Sequence, residues 1–268
     1  MTAPALVDSH CHLDFPQFGD ELPEVVRRAA DMGVTRMVTI CTRLRHEPNV
    51  RAIAKAHPGV FYAAGTHPMN AATEPMATVE ELVLIARHPL MVGIGETGID
   101  YHYIRESMAV QKESLRLHIE AARQTGLPLI IHSRDADTDM ARILAEEHRA
   151  GAYSCVMHCF SSGRTLAETA LELGFYLSMS GIAAFPKSTE LRAIFAGAPL
   201  DRVLVETDRP YLAPPPYREK RCEPGYVAHT AKVGAEVFGL SYAEFCAAIS
   251  ANFDRLFAKA AALAEGAA

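Results

Sequence analysis

Eight short apolar runs alternate with amphipathic stretches along the 268 residues, which predicts a (β/α)8 barrel of the TIM type, a single domain over residues 1–268. The runs recur about every 30 residues, the length of one strand–helix unit. Each is apolar almost without interruption, as expected of strands buried on both faces of a parallel sheet. The rival arrangement, a doubly wound open sheet, ordinarily carries a Gly-rich phosphate turn after its first strand, and none follows Leu6–His12 here.

In chain order, the first strand spans Leu6 to His12 and the first helix Glu21 to Met32, stopped by Gly33. A strand from Arg36 to Cys41 precedes a helix from Arg45 to Ala56, and Pro58 marks its end. Val60–Gly65 is the third strand and Val79–Arg87 its helix. The fourth strand, Met91–Gly95, leads to a long helix from Arg105 to Gln124, with Gly126 as stop signal. Pro128–Ile131, Ser154–Met157, Phe175–Met179 and Val203–Val205 complete the strands; Ala136–His148, Gly163–Leu173 and Thr189–Phe195 are the intervening helices. Helices over Val227–Phe238 and Tyr242–Lys259 follow, and the Ala-rich segment 260–268 is expected to fray. The proline-rich, basic stretch from Pro210 to Pro224 reads as an ordered loop over the barrel mouth.

Composition narrows the function. The net charge of −6 argues against a protein that holds nucleic acid by a broad phosphate-backbone footprint. The absence of Trp argues against a long base-stacking platform. Neither excludes an enzyme that grips one strand end through metal ions. The six cysteines form no C-x-x-C pair, so reduced thiols are the default. No basic segment leads into an apolar one at the N-terminus, and no apolar run approaches a membrane span. A cytoplasmic, membrane-free monomer is expected.

The polar residues at the strand ends carry the chemistry. His10 and His12 lie two apart at the end of the first strand, so their side chains share one face. His67 closes the third strand, Glu96 the fourth, His132 the fifth, His158 the sixth and Asp208 the eighth. In a (β/α)8 barrel the C-terminal strand ends form one face, and that face carries catalysis. A lone histidine there is ordinarily solvated or hydrogen-bonded, but seven metal-competent side chains converging on one mouth form a candidate centre. Four histidines and two carboxylates suffice for two metal ions sharing a carboxylate, a donor set that suits Zn, Mn, Fe or Co and is less natural for Mg. His102 is a minor candidate beside Glu96, His118 and His148 belong to helices, and Cys159, next to His158, is expected to point away from the site. No G-x-S-x-G elbow surrounds Ser133 or Ser161.

Six blocks in chain order resemble the TatD family of metal-dependent, deoxyribonuclease-like hydrolases of the amidohydrolase superfamily. They are Asp8-Ser9-His10-Cys11-His12-Leu13-Asp14, Gly65-Thr66-His67-Pro68, the stretch from Gly93 to Tyr101, Ile131-His132-Ser133-Arg134-Asp135-Ala136, His158-Cys159-Phe160-Ser161, and Glu206 to Leu212. The resemblance implies two metals: one on His10, His12 and Asp208, the other on His132 and His158, with Glu96 bridging. It also implies hydrolysis of DNA phosphodiesters, often from the 3′ end of single strands. Glu219, Cys222 and Ser162 depart from the family pattern, which bears on the mouth loop and substrate choice.

On this reading Asp208 and Glu96 are the catalytic carboxylates, Asp208 taking the proton of the attacking water. His67, Arg134 and the Arg218, Lys220 and Arg221 cluster are candidates for binding phosphate, and Tyr101 or Phe160 for stacking a base. The same ligands serve an ester or amide hydrolase, such as a D-aminoacyl-tRNA deacylase. A non-catalytic metal-binding protein is the third reading, which the complete ligand set argues against.

Overall fold

The computed structural model describes residues 4–208, 213–215, 217 and 221–265. Its strands are β1 (Leu6–Cys11), β2 (Val34–Cys41), β3 (Val60–Ala64), β4 (Met91–Asp100), β5 (Leu129–Arg134), β6 (Cys155–Met157), β7 (Tyr176–Met179) and β8 (Val203–Val205). Its helices are α1 (Leu22–Asp31), α2 (Glu47–Ala56), α3 (Val79–Ile85), α4 (Met108–Thr125), α5 (Asp137–Ala150), α6 (Arg164–Glu172), α7 (Thr189–Ala196), α8 (Val227–Phe238), α9 (Tyr242–Leu256) and α10 (Ala258–Glu265). The eight strands pair in sequence order, every pair parallel, with the helices between them: the (β/α)8 barrel that the alternation predicts. Every residue of β1, β3, β4, β6, β7 and β8 is buried, the polar Asp8, Ser9, His10, Glu96, Thr97, Asp100 and Ser178 included, as in a parallel sheet covered on both faces.

Backbone and side-chain hydrogen bonds help to close the barrel between β8 and β1. The Asp208 N–H donates to the His10 carbonyl at 3.0 Å. Ser9 Oγ donates to the Val205 carbonyl at 3.0 Å. The Asp8 carboxylate accepts the Thr207 N–H at 3.0 Å and the Thr207 hydroxyl at 2.5 Å. Asp8 is fully buried, so these bonds satisfy a charge that would otherwise be costly to desolvate.

Two strands run further than their apolar content indicates. Expected to stop at Gly95 and Ile131, β4 and β5 continue pairing through Thr97–Ile131, Gly98–His132, Ile99–Ser133 and Asp100–Arg134. Glycine makes this possible. Gly95 and Gly98 have φ of +127° and +149°, and a side chain at either would collide with a β5 carbonyl, that of Ile130 or His132. Between Gly95 and Thr97 the β4 strand advances two residues while β5 advances one. Glu96 is the extra residue of a β-bulge, a device that re-aims a side chain.

The C-terminal expectation is corrected. The helix from Tyr242 breaks at buried Phe257, and α10 then runs to Glu265 with Ala260 fully buried, so the chain does not fray from residue 260. Lys259 anchors the turn by donating to the Ala86 and His88 carbonyls at 2.8 and 2.7 Å, capping the end of α3. No helix among the described residues is long and apolar enough to cross a membrane.

One buried histidine links the helix layer to the mouth. His118 of α4 donates Nδ1–H to the Ser114 carbonyl at 2.7 Å and accepts the Thr66 N–H on Nε2 at 3.1 Å, which fixes the backbone just before His67. Burial pushes its imidazole down from 6.5 to about 4. The unfolded chain therefore takes up a proton below about pH 6.5 that the native imidazole refuses, and native stability is lost progressively as the pH falls from there through about 4. The loss from this group is about 3 kcal/mol. Denaturant melts of the metal-free protein and of His118→Gln at both ends of that range should show the variant's stability deficit shrinking in acid by about this amount.

Candidate metal centre

The first cluster forms where β1 meets the end of β8. His10 is fully buried and His12 nearly so, their rings edge to face with centroids 5.1 Å apart. Asp208 follows β8 at φ +53°, a left-handed conformation that an aspartate tolerates, and its N–H bond to the His10 carbonyl fixes it there. Its Oδ1 lies 3.6 Å from His12 Nε2 and 3.9 Å from His10 Nε2. His12 turns Nδ1 to the Ile40 carbonyl at 3.3 Å, leaving Nε2 to face the mouth.

The second cluster gathers around Glu96. One oxygen, Oε2, faces His10 Nε2 at 3.4 Å. The other, Oε1, faces His158 Nε2 at 2.7 Å, His132 Nδ1 at 3.2 Å and His67 Nε2 at 3.3 Å. The His10 and His158 rings stack at 3.9 Å, which joins the two clusters. Thus β1, β4, β5 and the residues that follow β1, β3, β6 and β8 bring together all seven strand-end candidates. His67, expected to contact substrate, sits among the ligand-competent groups.

Burial and charge oppose each other here. Burial pushes the Glu96 carboxyl up, but the His158, His67 and His10 imidazoles outweigh it and hold it well below the usual carboxylate range. Burial acts the same way on Asp208, and the His12 hydrogen bond with the His158 and His10 imidazoles reverses it downward. Burial pulls His158 down, yet Glu96 and Glu206 together raise it well above the ordinary histidine value. His10 goes the other way: burial and the neighbouring His158 lower it.

The donors fit a divalent cation. Both ring nitrogens of His10 are buried without a hydrogen-bond partner, an expensive arrangement for a group with no ligand to bind. His10, His12 and Asp208 each bring one donor atom within 4.8 Å of the others, as do His67, Glu96 and His132, and His10, His158 and Glu206. Imidazole and carboxylate together are the donor set of Zn, Mn, Fe and Co sites.

The substrate candidates are scattered. Arg134 lies exposed on the rim, its guanidinium 5.4 Å from the Tyr103 ring centroid. With Tyr101, Ser133, Ser161, Ser162 and Gly163 it lines a cleft of about 770 Å³ beside the centre. The Tyr101 hydroxyl donates to Asp139 at 2.5 Å. Phe160 is corrected: it is 2% exposed and packs edge-on against Phe195, so it has no free face for a base. Arg221 is corrected too: it pairs with Glu21 and Glu223 at 2.6 and 3.1 Å and donates to the Gln17 carbonyl at 2.6 Å, pinning the loop after β8 to the loop after β1. Arg218, Lys220 and Glu219 lie outside the described residues. Cys222 is buried. His102 sits on the rim, paired with Asp135 at 2.9 Å. Cys159 does not point away: at φ +42° its thiol turns inward to Ser180 Oγ at 3.1 Å and feels the Asp208 charge.

Sequence reasoning missed three buried carboxylates that hold the centre's histidines. Asp8 accepts the His10 N–H at 3.3 Å, Asp100 accepts from His132 Nε2 at 3.0 Å, and Glu206 accepts from His158 Nδ1 at 3.2 Å. For two of them the signal was present as parity: Asp8 stands two residues before His10, and Glu206 two before Asp208.

Comparison with known proteins agrees with this geometry. Residues 7–258 match the profile of the family described as TatD related DNase. The chain is 38% identical over 255 residues to the uncharacterized metal-dependent hydrolase YcfH of Escherichia coli K12, covering 94% of this chain and 95% of that protein. It is 30% identical over 231 residues to the 3′-5′ ssDNA/RNA exonuclease TatD of Klebsiella pneumoniae, covering 84% and 87%. Among solved structures, the TatD homologue YjjV of Escherichia coli K12 superposes with a TM-score of 0.88 at 27% identity, covering 96% of this chain and 99% of that one. With the profile matched over nearly its whole length, the chain belongs to the TatD-related DNase family of metal-dependent hydrolases.

Proposed function

We propose that the protein is a deoxyribonuclease that removes nucleotides from the 3′ end of single-stranded DNA, with two divalent cations that His10, His12, Glu96, His132, His158 and Asp208 would hold. The observation that carries the two-cation reading is the placement of Glu96, one carboxylate oxygen toward His10 and the other toward His67, His132 and His158. The nuclease reading draws on the family and on the relative named as a 3′-5′ exonuclease. The net charge of −6 fits contact with a strand end better than with a long duplex.

Bound cations supply Lewis acidity and lower the pKa of water at the centre. Asp208 is the candidate base. Its side chain is 19% exposed, which puts it at the boundary between the buried ligands and solvent, and it is held ionised near neutral pH, ready to accept a proton from attacking water. The protonated carboxyl then returns that proton to the leaving 3′ oxygen. Arg134, on the rim, takes a phosphate outside the scissile one, and His67, 13% exposed, orients the scissile phosphate.

Three outcomes are expected. Asp208→Asn should retain most metal yet lose turnover by about a hundredfold or more, measured on metal-replete protein; unchanged turnover would remove Asp208 as the base. A metal-reconstituted panel of 3′-labelled single-stranded DNA, RNA, model phosphodiesters and D-aminoacyl-tRNA should show single-stranded DNA turned over fastest, with Glu96→Ala inactive as the control against contaminating nuclease. Finally, protons and cation compete for the same imidazole nitrogens, and His158 binds its proton tightly. Metal affinity should therefore weaken as the pH falls. Calorimetry in buffers of different ionisation enthalpy should show proton release on binding near neutrality.

A further inference from the structure

The rim of the mouth carries an aromatic ring that the metal centre does not use. Tyr103, in the loop after β4, is 58% exposed. A single exposed ring is ordinary. What sets this one apart is that its neighbours hold it in place. Its N–H donates to Asp100 Oδ1 at 2.9 Å, and the same oxygen accepts the His102 N–H at 2.9 Å. The other oxygen of Asp100 accepts from His132 Nε2 at 3.0 Å, so one buried carboxylate ties the Tyr103 loop to the centre.

The ring itself is braced from two sides. The Arg134 guanidinium lies over one face, 5.4 Å from the centroid. The His102 ring meets the edge at 4.6 Å and 86°, and is itself fixed by Asp135 at 2.9 Å. With so much of the residue exposed, the face opposite Arg134 is open to solvent. The aromatic residues that the sequence put forward for stacking are engaged elsewhere. Phe160 is buried against Phe195. Tyr101 packs against the core, its hydroxyl on Asp139 and the Lys112 ammonium 5.8 Å from its centroid.

Arg134 joins this ring to the cleft beside the centre, which it also lines. No carboxylate pairs with its guanidinium among the described residues. A guanidinium stacked by its face still has N–H donors along its edge, and that edge suits a phosphate. An open aromatic face and an unpaired cation side by side match the repeating unit of a single strand, a base next to its phosphate.

We propose that Tyr103 and Arg134 form a nucleotide-binding site on the rim: a nucleobase of single-stranded DNA stacks on the open face of Tyr103, and Arg134 donates to an adjoining phosphate. This rests on the nuclease reading above. Every base has a π face, so the site grips a strand without reading its sequence. It also needs no broad basic surface, in keeping with the net charge of −6.

The experiment measures kcat/KM for release of the 3′-terminal nucleotide by metal-replete wild type, Tyr103→Ala and Tyr103→Phe. The substrates are a short single strand and a set of copies with one abasic site moved stepwise from the 3′ end; thermal unfolding is recorded for each protein. On the intact strand Tyr103→Ala should lose about 5- to 100-fold, and Tyr103→Phe should stay within about threefold of wild type. At one position the abasic site should cost the wild type the same factor and cost Tyr103→Ala nothing further. Wild-type activity in Tyr103→Ala would overturn the proposal. So would a loss that persists undiminished at every abasic position, the mark of a merely structural role. Arg134→Gln should make the log–log salt dependence of kcat/KM shallower by about 0.7, the share of one phosphate; an unchanged slope would remove the Arg134 contact. A wild type that hydrolyses a model phosphodiester but releases nothing from single-stranded DNA sinks the nuclease reading and this site with it. A wild type that degrades DNA with no coupling between Tyr103 and any base sinks this site alone.

Discussion

The centre depends on one buried negative charge. Glu96 is 2% exposed, and an isolated carboxylate so placed would be neutralised or the fold would pay several kcal/mol to keep it ionised. Four imidazoles from β1, β5 and the segments after β3 and β6 converge on it and reverse the effect of burial. They in turn are buried groups that need a partner or a cation. Each side of this arrangement offsets the burial cost of the other, so the histidines and Glu96 stand or fall as a unit.

Backbone geometry delivers Glu96 to that position. The bulge between Gly95 and Thr97 aims the side chain into the mouth, and glycines at 95 and 98 let β4 lie close enough to β5 for the ladder to continue beyond it. On the opposite side of the mouth, Asp8 and Ser9 stitch β1 to β8, which brings Asp208 beside His10 and His12 although some 200 residues of sequence separate them. The buried carboxylates Asp8, Asp100 and Glu206 accept hydrogen bonds from His10, His132 and His158 and so fix how these residues are held.

Much of this was legible in the chain because it depends on periodicity. Runs of buried residues announce strands, and a polar residue ending such a run marks the mouth; His10, His12, His67, Glu96, His132, His158 and Asp208 were found that way. Other features escaped it. The polar Glu96-Thr97 and His132-Ser133-Arg134 stretches disguised the true lengths of β4 and β5, since pairing there depends on the neighbouring strand rather than on hydrophobicity. Cys159 was assigned to the wrong side because alternation assumes extended backbone, and its φ of +42° is not extended. Arg221 looked available for phosphate because its partners Glu21 and Glu223 are brought to it only by the fold. The stacking role expected of Phe160 failed for a similar reason: adjacency to a ligand says nothing about which way an aromatic ring packs.

By itself, the sequence determined the architecture and which polar side chains gather at the C-terminal ends of the strands. These follow from local periodicity and from the rule that parallel strands place their C-terminal ends on one face. Tertiary structure alone decided how Glu96 divides its two oxygens between the clusters, which nitrogen each histidine presents, and which charged residues are consumed in holding loops. Those outcomes depend on distances of a few ångströms between residues far apart in the chain, and no one-dimensional pattern encodes such distances.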